Sequence, residues 1–196
     1  MNSIIKILYK TNDTFDELNN QYADELDIDC NLIFLIFGAI AGFISFADEL
    51  KYIRHVAGDK GIILYVILSI IVGAGITVLF LRFFLTYLLY GIGWLIKGKA
   101  KTIDIKVVVA YSMIPFFLRF PVMLVIGMSG KTGNLIGVEY WIVHVYYIII
   151  WLWTMKIMIQ GLLKFNKYGV FKAIINASFL LIIALIMRLI VYEITG

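Results

Sequence analysis

The chain has 196 residues, 62% hydrophobic and only 15% charged, with a mean hydropathy of +0.96. Soluble domains run at about 45–50% apolar and about 25% charged, so a soluble core could not absorb this much apolar surface. Seventeen bases against thirteen acids give a net charge of +4, which is spread among the loops and reads as orientation charge beside anionic lipid, excluding a nucleic-acid footprint.

The N-terminus lacks a secretory pattern, because Lys6 is followed by residues 11–29, a polar segment with seven acids and no base. No cleavage is expected there. Within it Thr14, Phe15, Glu17 and Leu18 predict a short helix, with Thr14 as cap and Glu17 three residues on. Residues 1–29 read as a cytoplasmic or interfacial arm, and residues 30–196 as a transmembrane domain.

A helix needs about 20 apolar residues to cross the hydrocarbon core, with a minimum of about 17. The first span is expected at about 30–47 and is short. Residues 62–96 form an apolar stretch whose single charge is Arg82. At 1.5 Å per residue it would reach roughly 52 Å, well beyond a core of about 30 Å, so it must tilt, bend or run along the surface. The third span, about 107–127, holds Pro115 and Pro121, the only prolines, each removing a backbone donor and inviting a bend. The fourth covers about 140–163 and is rich in aromatics; the fifth covers about 171–192. The expected fold is all-α, a bundle of five transmembrane helices behind a short N-terminal arm.

Five spans put the termini on opposite sides, and Lys and Arg choose between the two orientations. With the N-terminus inside, the cytoplasmic side collects Lys6, Lys10, Lys97, Lys99, Lys101, Lys106, Lys164, Lys167 and Lys172, against Lys51, Arg54, Lys60 and Lys131 outside. The expectation is N-inside. Small residues suggest how helices meet: Gly38 and Gly42 form a G-x-x-x-G in the first span, and Ser69, Gly73 and Thr77 repeat every four positions in the second.

Two glycine-lysine strings fall short of nucleotide sites. The string from Gly93 to Ala100 has P-loop spacing but ends in Ala where Ser or Thr must meet magnesium, and Gly130-Lys131-Thr132 has Val125 where the first glycine belongs. His55 and His144 lie far apart, with no cysteine or carboxylate at ligand spacing, so neither a metal nor a cofactor is expected. The lone Cys30 rules out an internal disulfide. No nucleophile-base set or carboxylate pair stands out, which leaves no catalytic residue to name and disfavours an enzyme. Asn12-Asp13-Thr14 fits a glycosylation acceptor that would be silent in the cytoplasm.

Three arginines lie inside apolar runs, where each needs an interface or a partner. Arg82 follows twenty apolar residues; it marks the cytoplasmic end if the crossing stops there, and falls near mid-depth if the helix continues to Ile96. Arg119 sits between the two prolines, near broken backbone whose carbonyls could accept its donors. Arg188, close to Tyr192 and Glu193, is placed to snorkel. Partners are sought at Glu139, His144, Lys156 and Gln160 of the fourth span, of which only Glu139 can neutralise a cation. The candidate intramembrane polar site comprises Arg119, Arg82, Glu139 and Tyr111.

From residue 97 to Pro121 the order is a hydrophobic span, the turn Gly98-Lys99, a short polar stretch, then Val108-Val109-Ala110-Tyr111-Ser112-Met113-Ile114-Pro115. This resembles the Yip family, the Ypt/Rab-interacting polytopic membrane proteins, in which a glycine turn and an alanine-tyrosine-x-x-x-proline segment join the second and third of five spans. Trp151-Leu152-Trp153-Thr154, Gly161-Leu162, Tyr168 and Lys172-Ala173 look like that family's fourth span and following loop, and residues 7–18 are similar to the leader of prokaryotic members. Gly98, Ala110, Tyr111 and Pro115 carry the core of the resemblance. Residues 1–29 lack the acidic-leucine-tyrosine-glycine-proline motif of eukaryotic members, and one glycine stands where two are usual. The resemblance therefore implies a short prokaryotic type in the plasma membrane, non-enzymatic, with Rab binding an unsafe inheritance.

Two roles follow as expectations. In the first, the protein organises membrane or membrane-protein assemblies, with lipids, further copies or other membrane proteins as partners. In the second it is a small-molecule or lipid transporter using the broken third span and Arg119.

Overall fold

The structure is a computed structural model and describes residues 2–128, 137–179 and 182; every element among the described residues is helical. The chain opens with α1 (Asn2–Lys6) and α2 (Thr11–Asn19). Thr14 does not cap α2 as the sequence suggests. It lies buried inside the helix, its hydroxyl donating to the Lys10 carbonyl at 2.9 Å, while Glu17 pairs with Lys6.

Next comes α3 (Ala23–Leu79), a helix folded back at Gly58. Gly58 has φ 63° and ψ −174°, a backbone state that glycine adopts without a Cβ penalty. Helical backbone flanks it on both sides, where the sequence suggests a loop over 48–61. The first limb also starts at Ala23, seven residues before the expected boundary at 30. Hydropathy finds the apolar part of a helix, whereas this one begins with an acidic first turn, Asp24 and Glu25, which suits the positive end of its dipole.

The two limbs of α3 run antiparallel in close contact. A Cβ on Gly38 would lie 2.7 Å from the Gly73 carbonyl, the Ala74 Cα and the Thr77 Cβ. One on Gly73 would lie 2.7 Å from the Gly38 carbonyl and the Gly42 Cα, and one on Gly42 would strike the Ser69 carbonyl. Only residues without bulk allow this approach.

The second limb continues through a π-helical turn, Phe80–Leu85, into α4 (Thr86–Leu95), making one apolar helix over Gly61–Leu95. The Thr86 hydroxyl donates to the Leu81 carbonyl five residues back at 2.8 Å, the spacing of a π turn. At the end of α4, Lys97 takes a left-handed φ of 66° and the Gly98 N–H donates to the Gly93 carbonyl at 2.7 Å, closing the helix in a Schellman pattern.

The third span breaks at its prolines. After α5 (Thr102–Ser112), residues Ile114–Leu118 form a 3-10 turn with Pro115 in its first turn, and α6 (Arg119–Met128) carries Pro121 in its own first turn. Pro115 and Pro121 thus sit where a missing N–H costs little. Then come α7 (Val138–Asn166) and α8 (Val170–Phe179). Of the fifth expected span, residues 180–181 and 183–192 lie outside the described residues, and so does Arg188. Gly130, Lys131 and Thr132 lie outside them as well.

Four helices are long and apolar enough to cross a membrane: Ala23–Ile44, Gly61–Leu95, Thr102–Ile126 and Glu139–Asn166. Their outer faces expose Ile63, Ile71, Ile76, Leu79, Trp141 and Ile148, as suits a lipid solvent. The arm is packed onto this bundle. Phe15 is fully buried, meets Phe165 edge to face at 5.8 Å and touches Gly161. The Trp153 indole donates to the Leu8 carbonyl at 3.2 Å, and Asp16 pairs with Lys164.

Candidate functional site

Charged groups converge where the first limb of α3, the π turn and α5 meet. Asp27 and Asn31, four residues apart, share one face of the first limb, and the Asn31 amide donates to Asp27 Oδ2 at 3.1 Å. Arg82, within the π turn, donates from Nη1 to Asn31 Oδ1 at 3.1 Å and from Nη2 to Asp27 Oδ2 at 3.4 Å. Lys106 of α5 donates to Asp27 Oδ1 at 2.5 Å. Lys106 is only 4% exposed, whereas the Arg82 and Asp27 side chains stay 36% and 37% exposed. Beside them opens a pocket of about 220 Å³, lined also by Phe83, Thr86, Tyr87, Thr102 and Ile103.

This arrangement corrects two sequence readings. The sequence puts Lys106 among the cytoplasmic loop bases, yet it is buried in α5, because the third helix begins at Thr102 and not at 107. Arg82 finds its partners on the first helix and not on the fourth span, where Glu139, His144 and Lys156 are exposed and His144 Nδ1 lies 2.9 Å from the Tyr140 carbonyl of its own helix. Asp27 is inconspicuous in the sequence because it belongs to the acidic stretch of residues 11–29. Its signal was the Asp-x-x-x-Asn spacing directly ahead of an apolar run. Arg82 lies beside the second turn of the first limb, at the end of the bundle, with residues 83–95 continuing past it.

Arg119 is held differently. Its guanidinium carbon lies 4.2 Å from the Tyr147 ring centroid and 5.6 Å from that of Phe116, while its buried Nε has no hydrogen-bond partner. Aromatic faces stabilise this cation, and the carbonyl of Leu118 accepts from the Tyr146 hydroxyl at 2.7 Å. Alongside lies a cavity of about 260 Å³, apolar apart from Arg119, with Phe37, Ile40, Phe117 and Met123 among its walls. Arg119 and Arg82 therefore belong to separate sites, and Glu139 to neither lining.

Gly98 owes its place to a close approach. A Cβ there would strike Asn166 Oδ1 and lie 2.8 Å from the Gly93 carbonyl. Asn166 is the hub of this end: its Oδ1 accepts from the Ala100 N–H at 3.4 Å, its carbonyl accepts from the Lys99 N–H at 3.1 Å, and its amide donates to the Tyr168 hydroxyl at 3.3 Å. Asn176 donates to the same hydroxyl at 3.0 Å and to the Leu89 carbonyl at 3.3 Å. Burial pushes the Tyr168 phenol above its ordinary value, opposed by these two amides. Ala110 and Tyr111 are buried in α5, and Pro115 starts the break that follows. Among the described residues no group of three or more His, Cys, Asp or Glu side chains could hold a metal.

No curated protein and no solved structure matches the chain. The family model described as the Yip1 domain matches residues 6–191, from the last turn of α1 to beyond α8, and members of that family are non-enzymatic membrane-trafficking proteins. The match takes in the arm as well as the long apolar helices, and the chain belongs to the Yip1-domain family of multi-pass integral membrane proteins.

Proposed function

We propose that the protein organises membrane or membrane-protein assemblies in the plasma membrane of a prokaryote, acting from its cytoplasmic end. One observation carries this reading: the polar machinery gathers at a single end of the bundle. There the arm docks on the last turns of α7, the turns at 96–101 and 167–169 meet through Asn166, and Lys97, Lys99, Lys101 and Lys167 are exposed. Basic groups flanking apolar helices suit contact with anionic headgroups or acidic partners. The same lysines support an N-inside orientation.

Two experiments test this reading. Replacing Lys97, Lys99, Lys101 and Lys167 together by Gln is expected to dissolve a co-purified complex larger than the 22.4 kDa chain while leaving the unfolding midpoint unchanged. A wild-type chain that emerges from gentle solubilisation free of any protein partner would count against the assembly role. For orientation, a cysteine placed in the segment 128–137, after replacement of Cys30, is expected to react with an impermeant thiol reagent in intact cells.

The cavity beside Arg119 favours a second reading, a small-molecule or lipid transporter built on the broken third span. Here Arg119→Leu discriminates: a folded variant that loses a ligand-dependent thermal shift supports transport, and an unfolded one marks Arg119 as structural.

A further inference from the structure

The cluster of Asp27, Asn31, Arg82 and Lys106 holds two cations against one carboxylate. Its other lining residues, Phe83, Thr86, Tyr87, Thr102 and Ile103, are uncharged. Asp104, the acid nearest along α5, is engaged in capping, its Oδ2 accepting from the Lys101 N–H at 2.7 Å. One positive charge is therefore in excess at the edge of an apolar bundle, where a cation is expensive unless paired.

The shape of the pocket matches an anion. Arg82 has five N–H donors, and its hydrogen bonds to Asn31 and Asp27 leave the planar fork able to hold further oxygens. Lys106 adds a point charge from the buried side. Thr102, the first residue of the 11-residue α5, lines the pocket, so the positive end of a helix dipole borders it. The volume of about 220 Å³ is below the roughly 300–1,000 Å³ of sites for drug-sized ligands, and suits a small polar group. Phe83 and Tyr87 are exposed at its mouth, with Phe80 and Phe84 exposed beside them along the helix; the tyrosine is of the kind found at headgroup level, and the phenylalanines offer an apolar face to acyl chains.

We propose that this pocket binds the phosphate of a membrane lipid whose headgroup is net anionic, with no ammonium of its own to offset the charge, gripped by Arg82, with Lys106 behind it and the acyl chains laid along Phe80, Phe83 and Phe84. Asp27 then sets the strength of the site, holding the two cations together while competing with the ligand for them. This goes beyond the assembly role and does not require it, since a chain that assembles nothing would still hold the headgroup.

The test uses the full chain in dodecyl maltoside, with dihexanoyl phosphatidylglycerol, dihexanoyl phosphatidylcholine or inorganic phosphate added and the thermal unfolding midpoint followed. Phosphatidylglycerol near a hundredfold excess over its Kd is expected to raise the midpoint by about 5–10 °C, and phosphatidylcholine by much less. Inorganic phosphate acting as well as phosphatidylglycerol would keep the anion site and overturn its assignment to lipid. Arg82→Gln is expected to abolish the difference between the two lipids. Because that variant also breaks an ion pair, Asp27→Asn supplies a readout of opposite sign. It lowers the basal midpoint but enlarges the phosphatidylglycerol shift, whereas a purely structural cluster would lose stability with no gain in lipid response. Equal shifts by the two lipids in the wild-type chain would overturn the proposal.

Discussion

At the scale of single residues, side chains far apart in sequence settle the polar chemistry. Tyr168 accepts hydrogen bonds from Asn166 and Asn176, both buried. Tyr168→Phe orphans two amide donors and is expected to cost about 1–3 kcal/mol for each that finds no new partner, read as a fall in unfolding midpoint. The same residue gives a pH dependence. Its folded value is raised by burial, so its contribution is complete below the unfolded phenol value of about 10 and is lost as pH climbs through the folded one. Lys6, raised by its hydrogen bond to Glu17, acts with the same sign in the alkaline range but is half-buried beside a partner that is itself exposed to solvent. Wild type should therefore lose stability above about pH 10 more steeply than Tyr168→Phe, while Lys6→Gln should leave the slope nearly unchanged. A slope equal in wild type and Tyr168→Phe would refute the assignment. Little of this chemistry was legible beforehand. That Arg82 requires a partner follows from its apolar neighbours, but the identity of Asp27 depends on a helix that begins inside an acidic stretch. Asn166 carries no sequence signal of its own, since an asparagine beside a turn is common, and Asn176 lies inside α8, where the sequence does not name its partner.

At the scale of elements, backbone proximity between the limbs of α3 is decided by atoms that are absent. Gly73→Val would drive a side chain into the Gly38 carbonyl and the Gly42 Cα, and is expected to cost at least the roughly 1–3 kcal/mol of an overpacked core. Gly75, two residues on, has nothing within 4 Å of a built Cβ. Gly75→Ala should be neutral or stabilising by up to about 1 kcal/mol, through helix propensity alone. Denaturation of the two variants in detergent tests the pairing; similar behaviour in both would argue that the limbs do not approach as closely as described. Element positions were legible because length and apolarity are local properties. The ends of helices were less so: the acidic first turn at Ala23 and the polar first turn of α5 are helical without being apolar.

At the scale of the whole molecule, the arm and the bundle form one packed body among the described residues, whereas composition alone would set the polar N-terminal stretch apart. Phe15, Trp153 and the Asp16–Lys164 pair hold it against α7. Phe15→Ala removes a fully buried ring worth about 3–5 kcal/mol and is expected to expose residues 1–22 to limited proteolysis while the long apolar helices stay protected. Protection of the arm equal to wild type would show that its docking does not depend on that ring. The π turn at Phe80–Leu85 links the part of the molecule inside the bilayer to the polar end. A π turn accommodates one residue more than an α-helical turn, and one residue is about 100° of rotation. It therefore acts as a phase shift: ahead of it Gly73 and Thr77 face the first limb, and beyond it Gly93 faces Asn166 and Asn176. A chain one residue shorter at this point would keep its composition, hydropathy and apolar length, yet turn the rest of that helix away from the partners that hold it.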